Sequence, residues 1–229
     1  MWDWLRRILD FLRNLFSKKK IIAIDSNWEP VTEAGYKYRQ ANVYPVFRNQ
    51  GYIIVEAQGV NANRDYVKSR LMTIKNLRYI TGVGHGNYEL YTGQDPHIIF
   101  KVGEEEEEYD KKEVNNRVVH LLSCRTARYL GPDFVKNGCL AFFGYDENFA
   151  FSWGYEEIFF RCDSEIDFSF AKGFNAKQAY DRTRIIYTDA IDALNDEGKY
   201  YIAAILQDDL DILRCPSINI KYGKENATI

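Results

Sequence analysis

No two of the four cysteines in this chain, Cys124, Cys139, Cys162 and Cys215, form a C-x-x-C pair. That spacing argues against a zinc site or a disulfide framework and predicts a reducing, cytoplasmic home. An excess of basic residues is also missing: 30 Lys and Arg face 33 Asp and Glu, a net charge of −3. Sequence-independent binding of nucleic acid needs a basic footprint, so it is not expected. No run of about eighteen apolar residues occurs, so nothing is expected to span a bilayer. No strand leads into G-x-G-x-x-G or G-x-x-x-x-G-K-[ST], which leaves a nucleotide-binding reading without its phosphate cradle. Internal repeats are absent, and no cofactor or metal is expected.

What is present describes a folded globule. Hydrophobic residues make up 46% and aromatics 15% of 229 residues, enough for one three-layer α/β core. Residues 1–20, MWDWLRRILDFLRNLFSKKK, stand apart from the remainder, 21–229. Leu5, Ile8, Leu9, Leu12, Leu15 and Phe16 recur at helical spacing, with Arg6, Arg7, Asp10 and Arg13 opposite. Those charges interrupt the apolar run, so a secretory leader is not expected. Two readings stay open: an interfacial helix against anionic headgroups, peripheral to a membrane, or a helix packed on the core or on a partner protein.

From Ile21 the pattern alternates. Ile21–Asp25, Tyr52–Ala57, Arg78–Gly84, Val118–Ser123, Cys139–Tyr145 and Tyr200–Gln207 read as strands. Thr32–Asn49, Asn63–Ile74, Ala127–Asn137 and Ala176–Asn195 read as helices. Alternation of this kind predicts a three-layer sandwich around a mostly parallel six-stranded sheet. Two stretches break the rhythm. Asn87–Arg117 holds one arm of a hairpin, Ile98–Val102, and an acidic run at 104–108 that reads as a solvated turn. Asp146–Asn175 is rich in Phe, Trp and Tyr, which would line a groove or cap the core.

Two strand ends carry chemistry. Val83-Gly84-His85-Gly86 delivers an imidazole, and Val118–Ala127 delivers Cys124 where a strand meets a predicted helix. Parallel strands bring their carboxyl ends to one rim, where a thiol and a base form a nucleophilic pair. The positive end of a following helix would favour the thiolate. Gly84 and Gly86 permit a sharp turn, and the Gly86 N–H together with that of Cys124 would bind an oxyanion. The other two histidines fit less well. His120 lies inside its strand and reads as a core residue, and His97, beside Pro96, as a surface one. Cys139 starts a strand at the opposite rim and reads as a packing residue.

Tyr79–Gly86 (YITGVGHG) and Val118–Tyr145 resemble the His-Gly and Cys blocks of the caspase-like cysteine peptidases, most of all the gingipain and CHAT-domain branch. Tyr200–Asp208 resembles that branch's closing strand. The resemblance implies an endopeptidase acting on protein or peptide substrates. His85 would be the general base, Cys124 the nucleophile, and Gly86 part of the oxyanion hole. It also implies that the loops after the first and fifth strands face the specificity pocket. Those loops carry Asp25, Asp146 and Glu147, which predicts cleavage after Arg or Lys, with Asp25 as the pocket floor. One departure is Leu122, two residues before the Cys, where such peptidases often carry a polar or acidic residue. The same fold also serves as a non-catalytic interaction or scaffold module, which is the alternative reading.

Overall fold

A computed structural model describes residues 19–103 and 109–229. The amphipathic reading of 1–20, apart from its last two lysines, and the acidic run at 104–108 lie outside the described residues. The strands in chain order are β1 (Lys20–Asp25), β2 (Ile53–Gln58), β3 (Leu77–Val83), a hairpin of β4 (Leu90–Thr92) with β5 (Ile98–Lys101), β6 (Val118–Leu122), β7 (Ala141–Tyr145) and β8 (Leu213–Arg214). The main sheet runs β2-β1-β3-β6-β7-β8, parallel throughout except for β8. Its strands are apolar on both faces, as burial under helices on each side requires. Ile21 and Ala23 of β1 enter one core, and Ile22 and Ile24 the other.

The helices are α1 (Pro30–Tyr38), α2 (Tyr44–Asn49), α3 (Arg64–Thr73), α4 (Leu130–Lys136), α5 (Glu156–Ala171), α6 (Ala176–Asp196) and α7 (Tyr200–Ile212). A π-helical turn, Arg39–Val43, joins α1 to α2. Pro45 lies just after it and cannot donate to the turn before, and the wider turn takes up that mismatch. On one face Val43, Phe47, Phe160 and Ile166 pack on Ile21, Tyr79 and Phe143. On the other, Val67, Leu71, Leu130 and Phe134 pack on Ile22, Ile80 and Phe142. The fold is α/β in three layers.

Two predicted elements are corrected. Tyr200–Gln207 is helical, and the sheet closes instead with Leu213–Arg214. Ile202, Ala203 and Leu206 bury against Phe159, Tyr187 and Ile191 while Tyr200, Tyr201 and Gln207 stay exposed, a helical period. The helix after Cys124 starts at Leu130, not Ala127. No helix among the described residues is long and apolar enough to cross a membrane.

Candidate active site

The order β2-β1-β3 means that the chain leaves β1 in opposite directions, and ligands of open α/β sheets bind outside the strand carboxyl ends at such a point. There β3 and β6 are direct neighbours, with Val83 in register with Leu122. His85 and Cys124 therefore each lie two residues beyond a matched pair, and both line one cavity of about 240 Å³. Gly86 closes the gap between them. A Cβ there would lie 2.6 Å from the Cys124 carbonyl oxygen and 2.6 Å from Thr126 Cγ2, so only glycine fits. Among the described residues, neither the Gly86 N–H nor the Cys124 N–H has a hydrogen-bond acceptor.

The cysteine corner is tied down from several sides. Ser123 Oγ and Thr126 Oγ1 hydrogen-bond at 2.9 Å, Arg125 N donates to Glu147 O at 3.0 Å, and Ala127 N to Tyr145 O at 3.0 Å. Arg125 adopts φ 63°, a left-handed conformation that a long side chain rarely takes. The N-terminus of α4 does not serve the thiolate as expected, because α4 starts six residues after Cys124. Burial pushes the Cys124 thiol up from its usual value, against smaller opposing pulls from the Phe149 main chain and Arg125. Its Sγ–H donates to the Phe149 carbonyl at 3.8 Å.

The sequence reading missed Glu29. Its Oε1 lies 3.3 Å from His85 Nε2, and the same carboxylate caps α1, accepting from Thr32 N at 2.8 Å and Val31 N at 3.1 Å. Partial burial works against its charge, but these main-chain donors outweigh it and hold the carboxyl below its ordinary range. The Trp28 ring stands edge-on to His85, centroids 6.3 Å apart. The only sequence signal was an acid immediately before Pro30 at a helix start.

The three predicted specificity acids are elsewhere. Asp25 is fully buried beneath the rim: its Oδ1 accepts from Arg39 Nε and Val83 N, each at 3.0 Å, and its Oδ2 from the Tyr44 hydroxyl. Asp146 pairs with Arg214 Nε at 2.6 Å, and Glu147 with Arg125 and Arg128. None of the three lines the cavity, whose walls are Val31, Val83, Leu122, Phe149, Phe151 and Phe160. The aromatic stretch thus divides: Phe149, Phe151 and Trp153 face the cavity, while Phe159, Phe168 and Phe170 fill the cores. Leu122 lines the cavity as an apolar residue.

Behind the site runs a buried polar chain. Arg39 joins Asp25 to Asp167 (Nη1 to Oδ2, 2.8 Å), and His120 lies between Asp167 (3.4 Å) and Asp163 (3.1 Å). Burial alone would lower the His120 pKa, but the two carboxylates lift it to about 9. His120 is thus a core residue, His97 is exposed, and Cys139 is buried against the Arg117 and Ala141 carbonyls. Asp209 of α7 accepts from Ala150 N at 3.0 Å and so anchors the cavity wall from behind. Burial pushes its carboxyl up to about 8, with the Asp163 charge adding to the effect and the Ala150 N–H opposing it.

A wider groove of about 1180 Å³, on the far side of Trp28, runs past Arg64 and His97 and contains neither Cys124 nor His85. No group of three or more His, Cys, Asp or Glu side chains suited to a metal ion occurs among the described residues. No protein-family model matches this chain, and no curated protein sequence matches it.

Proposed function

We propose that the chain is a cysteine endopeptidase in which His85 and Cys124 act on protein or peptide substrates. The observation that carries this reading is the register of β3 on β6, which brings an imidazole and a thiol to the lining of one cavity. The resemblance of Tyr79–Gly86 and Val118–Tyr145 to the caspase-like blocks points the same way.

In this reading His85 takes the thiol proton on Nδ1, the ring nitrogen that Glu29, beside Nε2, leaves free. The Cys124 sulfur adds to the scissile carbonyl carbon, and the oxygen takes up the electron pair against the Gly86 and Cys124 N–H groups. The intermediate collapses, the C–N bond breaks, and the amine leaves with the proton held by His85. Water, deprotonated by His85, then cleaves the thioester to a carboxylic acid and restores the thiol.

A second reading, a non-catalytic interaction module, draws on the raised pKa of the Cys124 thiol, which leaves little thiolate at neutral pH. A thiol-directed active-site probe and a peptide-library digest separate the two. Wild-type protein should be labelled at Cys124 and should cleave peptides. Cys124→Ala and His85→Ala should each lose nearly all hydrolysis while melting within a few degrees of wild type, since nucleophile and base act as a unit. Hydrolysis unchanged in either variant would overturn the endopeptidase reading.

A further inference from the structure

We propose that the cavity beside Cys124 receives one large apolar side chain, aromatic or long aliphatic, from the substrate residue preceding the scissile bond. This assignment rests on the cysteine-peptidase reading and gives it a substrate class. It replaces the basic specificity expected from the loop acids.

The lining decides the chemistry. Apart from His85 and Cys124, no ionisable side chain lines the cavity among the described residues. The acids around it are held elsewhere: Asp25 by three donors, Asp146 and Glu147 by arginines, and Glu29 by His85 and two main-chain N–H groups, while Asp209 is buried behind the wall on Ala150 N and does not line the cavity. A lysine or arginine entering would give up its water and find no partner, which an apolar site penalises heavily. An aspartate or glutamate would meet the same walls. An apolar side chain loses nothing there and gains its transfer from water.

Size and shape agree. An apolar cavity of about 150 Å³ holds a benzene molecule, and this one measures about 240 Å³, room for a phenyl ring and the methylene that carries it. The Phe151 and Phe160 rings meet at 5.1 Å and 57°, a tilted pair that offers an edge and a face to a third ring. At the mouth, Trp153 is 59% and Val31 44% exposed, two large apolar side chains left in water beside the nucleophile. A bound apolar residue would cover both.

Two measurements on the full chain test the assignment. The first is the cleavage rate of peptides differing only at the residue before the scissile bond: Phe, Leu, Lys, Arg, Asp. The second is the affinity of Cys124→Ala for N-acetylated tripeptides ending in Phe, Lys or Asp, read by calorimetry and independent of catalysis. Expected are a kcat/KM at least about ten-fold higher for Phe or Leu than for Lys, Arg or Asp, and a matching order of affinity. Val31→Asp, on the exposed first turn of α1 where an acid suits the helix, should cut the Phe-to-Lys ratio at least about ten-fold. Faster cleavage after Lys or Arg, equal affinities, or a ratio unmoved by Val31→Asp would overturn the cavity assignment and leave the peptidase reading standing. Absence of any cleavage with the Phe-ending peptide still bound best would instead overturn the peptidase reading and uphold the cavity's preference. Neither cleavage nor preference would remove both.

Discussion

Glu29 does two things with one carboxylate, and they can be separated. It caps α1 through two main-chain donors and holds His85 through Nε2. Glu29→Gln keeps an acceptor for the cap but loses the charge beside the imidazole. Stability should then change by less than about 1 kcal/mol, while kcat falls roughly ten-fold or more with little change in KM. Glu29→Ala should lose the cap as well, by about 1 kcal/mol in chemical denaturation. An unchanged kcat in Glu29→Gln would show that the acid is only a cap. Nothing in the sequence marks such a dual role, since the cap is local but the imidazole arrives from 56 positions further along the chain.

At the scale of elements, α7 shows how one apolar run supports two structures. YYIAAIL has the β-branched and aromatic content of a strand, and short runs of this kind are ambiguous by period alone. The packing of α5 and α6 decides it, because Phe159, Tyr187 and Ile191 form a surface that takes one face of a helix. Leu206 is fully buried in that contact. Leu206→Ala should destabilise the protein by about 2–5 kcal/mol in urea denaturation, as deletion of a packed core leucine does. A loss below about 1 kcal/mol, well short of what a packed leucine contributes, would mean that α7 is loosely docked. The consequence reaches the site, since α7 carries Asp209 and Asp209 holds Ala150 in the cavity wall.

For the whole molecule, the buried polar chain sets the pH dependence of folding. His120 has a folded pKa of about 9 against an ordinary 6.5. The stability it contributes is complete below about 6.5 and is lost as pH rises through 9. Asp209 has a folded pKa of about 8 against 3.8, so its contribution is complete below 3.8 and is lost as pH rises through 8. Asp167 is held well below its usual range. Burial opposes its charge, but Arg39, His120 and Thr81 outweigh that, so its contribution is lost as pH falls. Together they predict maximal stability on the acid side of neutrality and a fall between about pH 4 and 9. Thermal melts from pH 4 to 9 check this, and Asp209→Asn should flatten the decline. A stability maximum at pH 8 or above would refute the assignment of these protonation states.

What the sequence determined by itself was local. Alternating apolar segments and their glycine and polar punctuation located five of the six sheet strands, most of the helices and the hairpin arm, because strand and helix periods are properties of neighbouring residues. His85 and Cys124 were legible as strand-end residues for the same reason. The tertiary structure decided what required two distant segments to meet. It chose Arg39, Arg214, Arg125 and Arg128 as partners for Asp25, Asp146 and Glu147, which no spacing along the chain foretells. It turned Tyr200–Gln207 from a strand into a helix and set aromatic side chains around the thiol. Burial and ion pairing depend on three-dimensional neighbours, so the charge a site presents is settled only when the chain has folded.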